Sequence, residues 1–133
     1  MKGQSAVEFL VIVSMLLLIL GPLWIEVSQV LQQQQSELRV TYAKTALGEI
    51  QRAADIVAIQ GPPSSITLRL YVPTDIVNSS ISGKEVQFTI ALGDARTDVV
   101  ALTKTNVVGD LPTEEGFYRI TVKAENGYVN VTH

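Results

Sequence analysis

Apolar residues follow three successive patterns along this chain. From Phe9 to Ile25 the sequence reads FLVIVSMLLLILGPLWI, interrupted only by Ser14, Gly21 and Pro22 and free of charge. Glu8 and Glu26 bracket the run. It is about 17 residues long, the short limit for a helix that crosses a bilayer. After a polar belt at Gln32-Gln33-Gln34-Gln35, the spacing changes. Ala43, Ala46, Leu47, Ile50, Ala53, Ala54 and Val57 recur at three- and four-residue intervals. That period predicts an amphipathic helix with one face against a partner surface. Arg39, Lys44, Glu49 and Arg52 are then its solvent-side residues, and the small alanines allow a sheet to approach closely. Beyond Pro63 the period becomes two. Ile66, Leu68, Leu70 and Val72 alternate with Thr67, Arg69 and Tyr71. Val86, Phe88, Ile90 and Leu92 alternate with Gln87, Thr89 and Ala91, and Tyr118, Ile120, Val122 and Ala124 with Arg119, Thr121 and Lys123. Val99 to Val108 reads as one further strand, and Asn126-Gly127 as a tight hairpin turn into Tyr128–Thr132.

Helix signals connect the first two patterns. Gly21-Pro22 predicts a kink rather than a stop, because Pro removes one donor but helix formers resume at once. Gly61 suits the position just past a helix end, and Pro62-Pro63 cannot continue it. A single helix from Gln4 to Gln60 would be about 85 Å long at 1.5 Å per residue. A globule of this size cannot bury such a rod, so its apolar half is expected to protrude and to need lipid or other copies. The predicted fold class is α+β: a long N-terminal helix carrying a C-terminal antiparallel β head on its second half. The expected organisation is 4–31 as apolar helix, 32–60 as amphipathic helix and 61–133 as β head. Clean alternation implies a sheet with one buried and one wet face.

Composition sharpens this picture mainly by exclusion. The 133 residues are 47% hydrophobic and only 17% charged, where about 25% charge is usual in soluble domains. Mean hydropathy is +0.27, and the excess lies in the Phe9–Ile25 run. The net charge of −3 argues against a basic nucleic-acid binder. No cysteine is present, which excludes disulfide scaffolds and thiolate sites, and His133 is the only histidine. Asp94 and Asp98 lack the ligand alternation of a calcium loop and read as a hairpin turn. Glu114-Glu115 beside Gly116 reads as a solvated loop. No catalytic, cofactor-binding or metal-ligating residue is therefore expected, and no enzyme activity.

The residues before the run carry the sharpest signal. Lys2-Gly3-Gln4-Ser5-Ala6-Val7-Glu8-Phe9 leads straight into it. A carboxylate against the start of an apolar helix is costly unless it is paired or at an interface. This order of residues resembles the class III signal peptide of archaeal type IV pilins, over the stretch from Met1 to Ile25. The resemblance implies a leader of residues 1–3, cut by a prepilin peptidase between Gly3 and Gln4, with Glu8-Phe9 as the processing and assembly pair. It implies that the freed amine of Gln4 is neutralised by Glu8 of the same or a neighbouring subunit. It further implies an assembly ATPase and a polytopic platform protein as partners, membrane insertion with Lys2 on the cytoplasmic side, and then extraction into a helical homopolymer at the cell surface. A structural pilus subunit serving adhesion is the expected function. Two alternatives remain open: a signal-anchored monomeric surface protein with a ligand-binding β domain, and an archaellin. A cleaved secretory signal peptide fits less well, because WIEVSQVLQQQQ offers no small-x-small site.

Two sequons, Asn78-Ser79-Ser80 and Asn130-Val131-Thr132, follow the apolar run. A surface-exposed head would present both as candidate N-glycosylation sites. Asn78, in the polar stretch DIVNSSISG, reads as the better acceptor in a loop, and Asn130 as a strand residue.

Overall fold

The computed structural model describes residues 2–133. One helix, α1 (Lys2–Gln60), is followed by seven strands: β1 (Ser65–Val72), β2 (Ile76–Ser82), β3 (Glu85–Leu92), β4 (Ala95–Leu102), β5 (Val107–Gly109), β6 (Gly116–Glu125) and β7 (Tyr128–Thr132). The chain divides into two compact units, the first ending at Ser36 and the second running from Glu37 to His133.

The first unit is helical throughout its described residues, and the helix continues through Gly21-Pro22 without a break. Its large apolar side chains are uncovered: Leu18 is 75% and Trp24 76% exposed. The apolar stretch is long enough to cross a membrane. Its serines do not disturb that surface. Ser14 Oγ donates to Leu10 O at 2.7 Å, and Ser28 Oγ to Trp24 O at 2.9 Å. Each hydroxyl is satisfied by the carbonyl one turn earlier and adds no unpaired donor to an apolar face.

The second unit is built on the predicted stripe. Ala43, Ala46, Leu47, Ile50, Ala53, Ala54 and Val57 are all buried, while Lys44, Glu49 and Arg52 are exposed. Arg39 is half-buried and pairs with Asp75, Nη1 to Oδ2 at 2.7 Å. That contact ties the helix to the β1–β2 turn. The helix ends as its sequence requires: Gly61 takes φ +75° and its N–H donates to Val57 O at 2.9 Å. A side chain at that φ is strained, so glycine there closes the last turn cheaply.

The strands form two sheets rather than the single sheet expected. One has the order β1-β6-β7-β5 and the other β2-β3-β4. All pairings are antiparallel except β5 with β7, which is parallel. The Asn126-Gly127 hairpin is as predicted, with Glu125 opposite Tyr128. Two further expectations need correction. The segment taken for a polar loop around Asn78 is strand β2, held by its pairing with β3. The single strand expected over Val99–Val108 is two strands in different sheets, β4 and β5. Thr103 makes the break. Its N–H and its Oγ1 both donate to Lys84 O, at 2.8 and 3.1 Å, and Val107 N donates to Gly83 O at 2.7 Å. The β2–β3 turn thus clasps the β4–β5 link and turns the chain toward the other sheet.

One core joins these parts. Leu70, Val72, Ile120, Val122, Val129 and Val131 come from the four-stranded sheet, and Val86, Phe88, Ile90 and Val99 from the three-stranded one, all in one cluster with the helix stripe. Because that core lies wholly within residues 37–133, deletion of residues 1–31 should leave a soluble monomer. Circular dichroism is expected to show mixed helix and strand signal with one cooperative melt. An unfolded or wholly helical product would contradict this packing.

Candidate functional site

Gly3, Gln4, Glu8 and Phe9 lie in the first turns of α1. Gln4 and Glu8 are four residues apart, so they share one helix face. Both are exposed, as is Phe9. Among the described residues Glu8 has no ion-pair partner. Glycine is a poor helix former, costing about 1 kcal/mol against alanine, and nothing lies within 4 Å of where a Cβ on Gly3 would stand. The Gly3-Gln4 bond therefore sits in a weak, unobstructed first turn. From Phe9 to Ile25 the same helix offers apolar surface all round, interrupted only by Ser14, Gly21 and Pro22. A carboxylate and a continuous apolar rod are thus joined in one rigid element, with the charge at the rod's beginning.

The sequons take different positions. Asn78 is exposed on β2, an edge strand of the three-stranded sheet, so it reaches solvent from a strand rather than a loop. Asn130 is half-buried on β7, in register with Lys123 on one side and Val108 on the other.

The acidic pairs resolve into local structure. Asp94 lies in the β3–β4 turn, while Asp98 lies within β4 and accepts a hydrogen bond from Thr89 Oγ1 at 2.7 Å. Glu115 accepts one from the Tyr71 hydroxyl at 2.9 Å. That bond, helped by slight burial and the carboxylate's charge, raises the Tyr71 pKa above its ordinary value. His133 meets the Tyr118 ring edge-on, with centroids 6.2 Å apart. Among the described residues no three metal-ligating side chains converge.

The strand register also assembles a row that sequence reasoning did not identify. On the outward face of β1 and β6, Thr67 stands opposite Thr121, Arg69 opposite Arg119, and Tyr71 opposite Phe117. Alternation marked Thr67, Arg69, Tyr71, Arg119 and Thr121 as outward-facing, but only the register adds Phe117 and reveals which residues meet. Comparison with protein-family models, with curated proteins and with solved structures finds no match to this chain.

Proposed function

We propose that this chain is a structural subunit of an archaeal type IV pilus-like surface filament, serving adhesion. The observation that carries the reading is the Gly3-Gln4 to Glu8-Phe9 motif at the start of a helix whose apolar run is uncovered. In this reading the precursor sits in the cytoplasmic membrane. A prepilin peptidase cuts before Gln4, and an assembly ATPase with its platform protein moves the subunit into a homopolymer outside the cell. The chain itself performs no catalysis and needs no cofactor.

Energetics support this division of labour. At about 25 cal/mol per Å², and about a hundred Å² per large side chain, burying the Phe9–Ile25 surface is worth tens of kcal/mol relative to water. Relative to lipid the gain is far smaller, because lipid tails are as apolar as the side chains. Extraction then needs external energy, and the finished polymer in water resists dissociation.

Mass spectrometry of sheared surface filaments tests the proposal. The mature N-terminus should be Gln4 or its cyclised form. A chain still beginning at Met1, as a plain signal anchor requires, or one beginning beyond Trp24, as secretory cleavage requires, would overturn it.

A further inference from the structure

We propose that the outward face of β1 and β6 binds an acidic saccharide, a sugar chain carrying carboxylate or sulfate groups, through Arg69, Arg119 and Phe117. This inference stands apart from the filament reading, since it concerns the sheet face of a single subunit.

The starting observation is an unfavourable one. Arg69 and Arg119 are directly opposite in the antiparallel register, and both are exposed. Side chains so placed have Cβ atoms about 5 Å apart, and like charges there repel. The chain has acidic residues to spare, with a net charge of −3. Of the other basic side chains, Arg39 is paired with Asp75 and Lys123 with Glu125. Among the described residues neither Arg69 nor Arg119 has such a partner. Two arginines opposite each other in register, neither in an ion pair among the described residues, can each offer an oxyanion planar, parallel N–H donors.

The neighbours of this pair say what kind of anion fits. Phe117 is 66% exposed, yet it is braced rather than loose. Arg69 Cζ lies 5.0 Å from its ring centroid, and the Tyr71 ring 5.1 Å away. Tyr71 is itself fixed by Glu115 and by the edge contact with Tyr42 at 5.4 Å. A stacked guanidinium keeps its in-plane donors available. On the other side of the arginines, the Thr67 and Thr121 hydroxyls lie 3.3 Å apart and supply neutral donors and acceptors. Beside Arg69 and Tyr71 a hollow of about 270 Å³ opens, lined also by Tyr42, Thr45 and Glu49. A held apolar ring, two unpaired cations and a pair of hydroxyls match a pyranose ring that bears an anionic group. An acidic protein surface would use the arginines but has no need of the exposed ring.

The test uses the unassembled full-length chain in a polyoxyethylene detergent, which introduces no competing sugar. Binding to polygalacturonate, dextran sulfate and uncharged dextran is measured by biolayer interferometry. Binding to at least one acidic polymer is expected, weakening as salt rises, with none to dextran. Polygalacturonate against dextran sulfate distinguishes carboxylate from sulfate. Arg69→Gln with Arg119→Gln should lower affinity at least about tenfold, and Phe117→Ala should lower it separately. The melting midpoint should change little in the double glutamine variant, because relief of the repulsion offsets loss of the Arg69–Phe117 contact. Arg69→Lys with Arg119→Lys keeps the charge and should retain part of the binding, so the test survives a poorly folded glutamine variant. Equal binding by wild type and the glutamine variant would overturn the proposal, as would equal binding to dextran. A face that instead joins copies of this chain would bind no polymer and would change self-association in light scattering when the arginines are replaced, which also overturns it.

Discussion

Replacement of Glu8 by alanine should abolish filaments while leaving the subunit in the membrane. Alanine makes the start of α1 more apolar, so insertion is preserved. Cleavage at Gly3-Gln4 is preserved too if Glu8 serves assembly, because the scissile bond lies several residues away. What is lost is the only carboxylate before Glu26 on a helix whose Phe9–Ile25 surface becomes the filament interior in the proposed reading. After cleavage the Gln4 amine is charged and enters that interior. Its own Glu8, one turn along the same face, or the Glu8 of a neighbour supplies the counter-charge. Removing one member of a buried pair leaves an uncompensated charge and costs about 3–5 kcal/mol per subunit. A carboxylate acting only on the helix dipole is worth about 0.3–1 kcal/mol, too little to prevent a polymer. Electron microscopy of surface filaments, with cleaved subunit in the membrane fraction as control, separates these cases. Normal filaments from Glu8→Ala would reduce Glu8 to a cap or a peptidase signal. Accumulated uncleaved precursor would place its role in processing.

The helix was legible in the sequence because its signals are local. The stripe from Ala43 to Val57 is set by spacing alone, and the stop at Gly61 by one residue's tolerance of positive φ. The strands rich in alternating apolar residues were legible for the same reason. What escaped depends on pairing between distant segments. Strand β2 carries Asn78, Ser79, Ser80 and Ser82, whose composition reads as loop. Its extended form is imposed by β3, and Ser79 Oγ further donates to Leu111 O at 3.0 Å. The division of Val99–Val108 between two sheets depends on Thr103 finding Lys84 O, a contact 19 residues away in sequence. Parallel pairing of β5 with β7 likewise has no local mark. The candidate site divides in the same way. The Glu8-Phe9 motif is contiguous and could be read directly, whereas the meeting of Arg69 with Arg119 needs the β1–β6 register.

Phe88→Ala should cost about 3–5 kcal/mol of stability in the fragment lacking residues 1–31, against a total of about 5–15 kcal/mol for a domain. Phe88 is 1% exposed and heads the large, fully buried side chains of the core. It lies on β3, the middle strand of its sheet, with Ser79 and Val99 as its register partners. Strands on both sides limit how far the backbone can close over the void. The cluster it belongs to includes the helix stripe and both sheets, so the lost contacts weaken all three together. Phe117→Ala removes the same side chain from the outward face and should cost under about 1 kcal/mol, chiefly its contacts with Tyr71 and Arg69. Urea denaturation of both variants measures the difference, with unchanged slopes showing that the folded and unfolded states remain comparable. A smaller loss for Phe88→Ala than for Phe117→Ala would mean that the three-stranded sheet does not close the core on this side chain. The expected order would also show that Phe117 can be removed without unfolding the head, so that any saccharide binding lost with it is lost from an intact surface.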